Sequence, residues 1–191
     1  MKPPHRKIDY MDETPLDWEA LIGNSLKLRL PDFIWSHPLA QDDEEPRVLN
    51  LGAGKSPMNN AINLDRPEWD APWLPYGFDS MDTVHAYHFL EHLSGDTLLD
   101  MIEEIARVLK PGGVFNYCVP YAMAPIAFMD PTHQSFWTEE TMGVLLGPDG
   151  YNHPAERSTR RLKIQTQMIM GLTSSNLVVI GQLTKTVQEE S

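Results

Sequence analysis

Apolar positions along this chain follow two rhythms, short strand-like runs and a helical stripe. Val48-Leu49-Asn50-Leu51 is a short run ending at Gly52, and Ala61-Ile62-Asn63-Leu64 is another ending at Asp65. Both read as strands, and Asp82 to His88 reads as a third. From Ser94, at the N-cap position, the pattern changes. Leu98, Ile102, Ile105 and Leu109 recur at i, i+4, i+7 and i+11, the stripe of an amphipathic helix that Pro111-Gly112-Gly113 ends. Val114 to Val119 predicts a buried strand, and Thr138-Glu139-Glu140-Thr141 opens a second helix through about Leu146. Leu162 to Met170 and Leu177 to Thr184 are β-rich runs around a Gly-Leu-Thr-Ser-Ser-Asn turn, which predicts an antiparallel hairpin. Strands alternating with helices, then a closing hairpin, imply an α/β layered fold with a mostly parallel sheet.

Ahead of this pattern, residues 1–15 are polar with three prolines and read as an irregular arm. From Asp17, WEALIGNSLKLRL reads as a helix up to Pro31, and QDDEEP at 41–46 as an acidic linker. The expected organisation is therefore an arm, helix and linker over 1–46 and one domain over 47–191. A chain of 191 residues with 41% hydrophobic residues can bury a core of that size. The formal net charge of −12 argues against a nucleic-acid substrate, which needs a cationic face to displace counterions. A single cysteine, Cys118, excludes an internal disulfide and reads as a buried thiol. No apolar stretch is long enough for a membrane helix, and the first residues lack the apolar core of a signal peptide, so a cytoplasmic protein is expected.

The segment LNLGAGKSP, Leu49 to Pro57, overlaps three binding motifs. A Walker phosphate loop reserves for glycine the position of Leu49, and a dinucleotide fingerprint the position of Pro57. A bound S-adenosylmethionine (SAM) asks for less. Its methionyl group needs close backbone approach, which Gly52 and Gly54 permit, and its ribose hydroxyls need a carboxylate at the end of the next strand, where Asp65 stands.

VLNLGAGKSP, AINLD, LPYGFDSMDTVHAYHFLEHL and ARVLKPGGVFNYCVP follow one another in order. Together they resemble the successive motifs of class I SAM-dependent methyltransferases, in the small methyltransferase-domain (type 11) group. The resemblance covers about residues 47–120, with a weaker match at DPTHQSFWTEET. It implies a Rossmann-like sandwich whose sheet is mostly parallel and closes with an antiparallel hairpin. The fold is shortened between the first and fourth strands, where the usual helices have no room. The resemblance also implies a site: Gly52, Ala53 and Gly54 by the methionyl part, Asp65 on the ribose, Asp70 and Ala71 at the adenine, and His88 beside the sulfonium.

Seven histidines invite a metal reading, and His88-Phe89-Leu90-Glu91-His92 matches the inverted zinc-protease motif. That motif needs both histidines on one helix face, whereas His88 ends a strand, so no metal is expected. His92 reads as a capping or solvated loop residue. The loop after Val119 should cover the acceptor side of the pocket. Its His133 could take a proton from the acceptor or merely orient the following helix, and His88 is the second catalytic candidate. Most of the five tryptophans read as core; Trp69 and Trp73 flank Asp70, where one could stack on adenine. The expected function is methyl transfer from SAM to a small-molecule or soluble acceptor. A non-catalytic SAM-fold module that binds protein is the alternative.

Overall fold

The computed structural model describes residues 46–55, 57–146, 161–171 and 174–187. Apart from Pro46, the expected arm, helix and acidic linker lie outside the described residues, as do Trp18 and Trp35. The described chain runs β1 (Val48–Leu51), β2 (Ile62–Leu64), β3 (Met81–Tyr87), a 3₁₀ turn (Leu90–His92), α1 (Gly95–Val108), β4 (Leu109–Pro120), α2 (Ile126–Met129), α3 (Thr141–Leu146), β5 (Leu162–Met170) and β6 (Val178–Lys185). The six strands form one sheet in the order β2-β1-β3-β4-β6-β5. Neighbours from β2 to β4 are parallel, whereas β6 lies antiparallel between β4 and β5. This is the predicted mostly parallel sheet with its closing hairpin. As predicted, no helix occupies the described parts of the connections β1–β2 and β2–β3.

Alternation of side chains across the strands sorts the sheet into rows. Ile62, Leu49, Val84, Phe115, Leu183 and Ile164 lie in register from β2 to β5. The next row is polar: Asn63, Asn50, His85, Asn116, Gln182 and Thr166. The apolar row belongs to the core, to which α1 adds Leu98, Met101, Ile102 and Ile105 along its predicted stripe. Burying each of these side chains contributes roughly 1.5–3 kcal/mol. In the polar row, Asn50 Nδ2 donates to Asn63 Oδ1 at 2.9 Å and Gln182 Nε2 to Asn116 Oδ1 at 3.0 Å, so the buried amides of Asn50, Asn116 and Gln182 keep partners.

The helix ends as expected, at Leu109, but the chain does not turn away there. Leu109 already pairs with Met81, and after a register shift Val114 pairs with Thr83, with Lys110 to Gly113 forming the bulge. Gly112 takes φ +79° in it, and Lys110 Nζ donates to Asp82 Oδ1 at 2.8 Å. Helix α3 starts at Thr141 rather than Thr138. Thr138 instead takes part in the turn ahead of it, its N–H donating to Thr141 Oγ1 at 2.9 Å. The one-turn helix α2 carried no periodicity and was not expected. No described helix is long and apolar enough to cross a membrane.

Candidate functional site

Beyond Leu51 the chain turns through two left-handed glycines, Gly52 at φ +65° and Gly54 at φ +52°. Only glycine adopts this region without strain, so the Gly-x-Gly spacing is a backbone requirement of the turn. The N–H groups of Gly52 and Ala53 donate to Leu64 O at 2.9 and 3.2 Å, fastening the turn to the end of β2. A Cβ at Gly52 would stand 2.7 Å from Phe89 Cδ2, so the missing side chain makes room for that ring. Trp69 also packs against Phe89, with ring centroids 5.7 Å apart, and its indole N–H donates to Trp73 O. At Gly54 the corresponding space stays open up to Asp65 Oδ2, 4.0 Å away.

Asp65 follows β2 directly. Its Oδ2 accepts from Gly54 N–H at 2.5 Å and its Oδ1 from Arg66 N–H at 2.8 Å. Two backbone donors thus fix the carboxylate plane, while each oxygen keeps a second lone pair for a ligand. Asp70 lies farther out, where its Oδ1 accepts from Arg66 Nε and Nη2 in an exposed ion pair. Beside it Ala71 packs on the core, while Trp73 is 70% exposed.

His88 follows the last residue of β3, at φ +51°, and its N–H donates to Cys118 O at 2.8 Å. Its Nδ1 lies 3.2 Å from Glu91 Oε1 and its Nε2 3.8 Å from the Cys118 thiol. Burial disfavours the imidazolium. The Cys118 and Glu91 contacts outweigh that and hold the His88 pKa above the ordinary histidine value. Such a ring suits donating a hydrogen bond better than accepting a proton.

The loop from Tyr121 to Trp137 returns onto the 3₁₀ turn. Gln134 and Ser135 donate their N–H groups to Glu91 O at 2.7 and 3.0 Å, and Ser135 Oγ donates to Leu90 O. Thr132 donates both N–H and hydroxyl to Asp130 Oδ1, closing the Asp-Pro-Thr turn and lowering the Asp130 pKa. His133 Nδ1 lies 2.8 Å from Ala127 O, so it carries the proton and leaves Nε2 as the acceptor. His92, half-buried rather than simply solvated, meets Thr132 Oγ1 through Nδ1 at 3.0 Å and the His133 ring edge-on at 4.9 Å.

Gly52, Ala53, Gly54 and Asp65 therefore form one cluster, and His88 adjoins it through Phe89. His133 stands in a second cluster with Glu91 and His92, linked to His88 by Glu91. Two participants escaped sequence reasoning. Phe89 and Glu91 sit inside the HFLEHL block, but nothing local marks one as the partner of Gly52 or the other as the link between two histidines. Trp137, fully buried, is core as predicted.

The family model described as a methyltransferase domain matches residues 49–116. Comparison with curated proteins finds no significant match. Among solved structures, the YcgJ protein from Bacillus subtilis superposes with a TM-score of 0.55 at 14% identity, over 87% of this chain and 100% of its own. A SAM-dependent methyltransferase from Methanosarcina mazei gives 0.55 at 15% identity, over 84% and 100%. The Burkholderia thailandensis 1,6-didemethyltoxoflavin-N1-methyltransferase, with bound 1,6-didemethyltoxoflavin and S-adenosylhomocysteine, gives 0.52 at 15% identity, over 74% and 72%. The chain thus matches the methyltransferase-domain model over residues 49–116, and its described residues have the Rossmann-like fold of the class I SAM-dependent methyltransferases.

Proposed function

We propose that the chain transfers a methyl group from SAM to a small-molecule acceptor. The observation that carries this reading is Asp65, whose carboxylate is held by the Gly54 and Arg66 N–H groups beside the Gly52-x-Gly54 turn. Bound there, SAM supplies an electrophilic methyl on its sulfonium. Asp65 would accept from both ribose hydroxyls, and Gly54 leaves space for the cofactor beside it. Ala53 lines the same turn, and Asp70 and Ala71 stand at the adenine end. His88, at the end of β3, borders the sulfonium side. The loop 120–137 then covers the acceptor. His133 is the base proposed there, since Nδ1 is committed to Ala127 O and Nε2 can take the acceptor's proton.

The net charge of −12 supports a small acceptor over a nucleic acid. Met123, Phe128, Met129 and Phe136 are exposed on the same loop, with Phe128 and Phe136 stacked at 4.8 Å, and they suit an acceptor with an apolar face. The same apolar exposure favours the second reading, a SAM-fold module that binds protein without turnover. Labelled methyl incorporation separates the two.

Calorimetry with SAM and S-adenosylhomocysteine tests the cofactor site. Asp65→Ala should weaken both by roughly 1.5–3 kcal/mol, the loss of charge-assisted hydrogen bonds to two hydroxyls. Unchanged affinity in that variant would remove the assignment, as would stronger thermal stabilisation by ATP with magnesium, or by NAD, than by SAM.

A further inference from the structure

We propose that Glu91, His92 and His133 bind one divalent transition-metal ion of the Zn²⁺, Mn²⁺ or Co²⁺ type. One ligand atom from each lies within 4.8 Å of the other two, so a common point lies about 2.8 Å or less from all three. Closing to coordination distances of about 2.0–2.2 Å takes less than an ångström of movement per ligand, within reach of small side-chain rotations.

Three further observations separate this cluster from a chance meeting of polar groups. First, Glu91 is 1% exposed, and its Oε2 is the buried side-chain oxygen left without a hydrogen-bond partner among the described residues. Burying a carboxylate oxygen in that state costs its full desolvation, which a metal ion offsets. Its other oxygen is already engaged by His88.

Second, both histidines are oriented from behind. His133 Nδ1 faces Ala127 O, and His92 Nδ1 faces Thr132 Oγ1, which itself donates to the Asp130 carboxylate. Each arrangement directs Nε2 as the lone-pair nitrogen, the outer support that metal-bound imidazoles have. Third, the donor set is two imidazoles and a carboxylate, which suits borderline divalent ions better than calcium or magnesium.

The ligand set is not that of the inverted protease motif, because His88 lies outside it. Its third member comes from the loop after β4, so the ion would tie that loop to the turn after β3. Three protein ligands leave a coordination position open for water or an oxygen-bearing ligand. The ion takes the same Nε2 lone pair that a base would use, so His133 cannot hold metal and accept a proton together. This proposal does not rest on the cofactor reading.

The test uses the untagged full chain, stripped with a chelator and titrated with Zn²⁺ in a calorimeter and with Co²⁺ followed by visible absorption. One ion per chain is expected, together with an upward shift in thermal midpoint. His92→Ala and His133→Ala should each weaken binding beyond the ~10–100-fold typical of an outer partner, and Thr132→Val should fall within that range. Absence of saturable one-to-one binding would overturn the site. So would unchanged affinity in a folded His92→Ala/His133→Ala double variant. If those variants fail to fold, Thr132→Val and the nitrogen-ligand bands of Co²⁺ decide, and loss of neither affinity nor bands rejects the proposal. SAM calorimetry on the same preparations keeps the questions apart. Intact SAM binding without metal binding sinks only the ion site, and the reverse result sinks only the cofactor reading.

Discussion

Gly181 has no room for a methyl group. A Cβ there would stand 2.2 Å from Cε1 of the Tyr117 ring, which crosses β6 to donate its hydroxyl to Gln167 Oε1 at 2.5 Å. Gly181→Ala must therefore displace the ring, and urea unfolding should show a loss of about 1–3 kcal/mol with little change in SAM affinity. His133→Ala should do the opposite. With metal chelated away, it should leave stability and SAM affinity nearly intact while labelled methyl incorporation falls by about 10²–10⁴-fold, the usual worth of a general base. A smaller loss would demote His133 to positioning the acceptor. These two residues also mark how far the site was legible in the sequence. Gly52, Gly54 and Asp65 could be read because each constraint is local, a left-handed turn or a carboxylate one residue past a strand. The demand at Gly181 comes from a ring 64 positions away, through a pairing that only the folded sheet creates.

At the scale of elements, α1 does more than cover the sheet. Leu74 N–H donates to Glu104 Oε2 at 2.9 Å, and Arg107 reaches Leu74 O and Tyr76 O while holding Glu104 through Nε and Nη2. One helix pair thus fixes the loop that stands where the missing helix and strand would be. The Arg107 guanidinium, with help from the Leu74 N–H, holds the Glu104 carboxyl below the ordinary carboxylate range, although burial opposes it. A lowered carboxylate pKa adds stability that is fully present above the unfolded value, about 4.3, and is lost as pH falls through the folded one. The stability gap between wild type and Glu104→Gln should therefore narrow between pH 6 and roughly pH 3.5–4. A gap independent of pH would show that the ionised carboxylate is not what clamps the loop. The stripe of α1 was legible because a helix prints its buried face at fixed spacing. The clamp was not, because Leu74 and Glu104 are brought together only by the turn between them. Helix α2 is too short to print any period at all.

For the whole molecule, the succession of strands along the chain and the closing hairpin followed from apolar runs and turns, whereas the strand order within the sheet and the bulge at Lys110 to Gly113 did not. The polar row from Asn63 to Thr166 was equally hidden. Each strand supplies one member, every one of them unremarkable in its own segment, and only the register aligns them. The position of β6 has a further consequence, for the order of synthesis. The last strand of the described chain is an interior one, filling the gap between β4 and β5 and pairing with both. Every residue from 121 to 177 must leave the ribosome before the open edge of β4 gains its partner, and β5 emerges with none. Non-local pairing of this kind is slow and leaves strand edges open to other chains. A chain stopped at residue 177 should accordingly collect in the insoluble fraction, and a soluble product with a cooperative melt would contradict this. Nascent copies are thus most vulnerable to one another until residues 178–185 emerge, when a nearly complete sheet still lacks an interior strand.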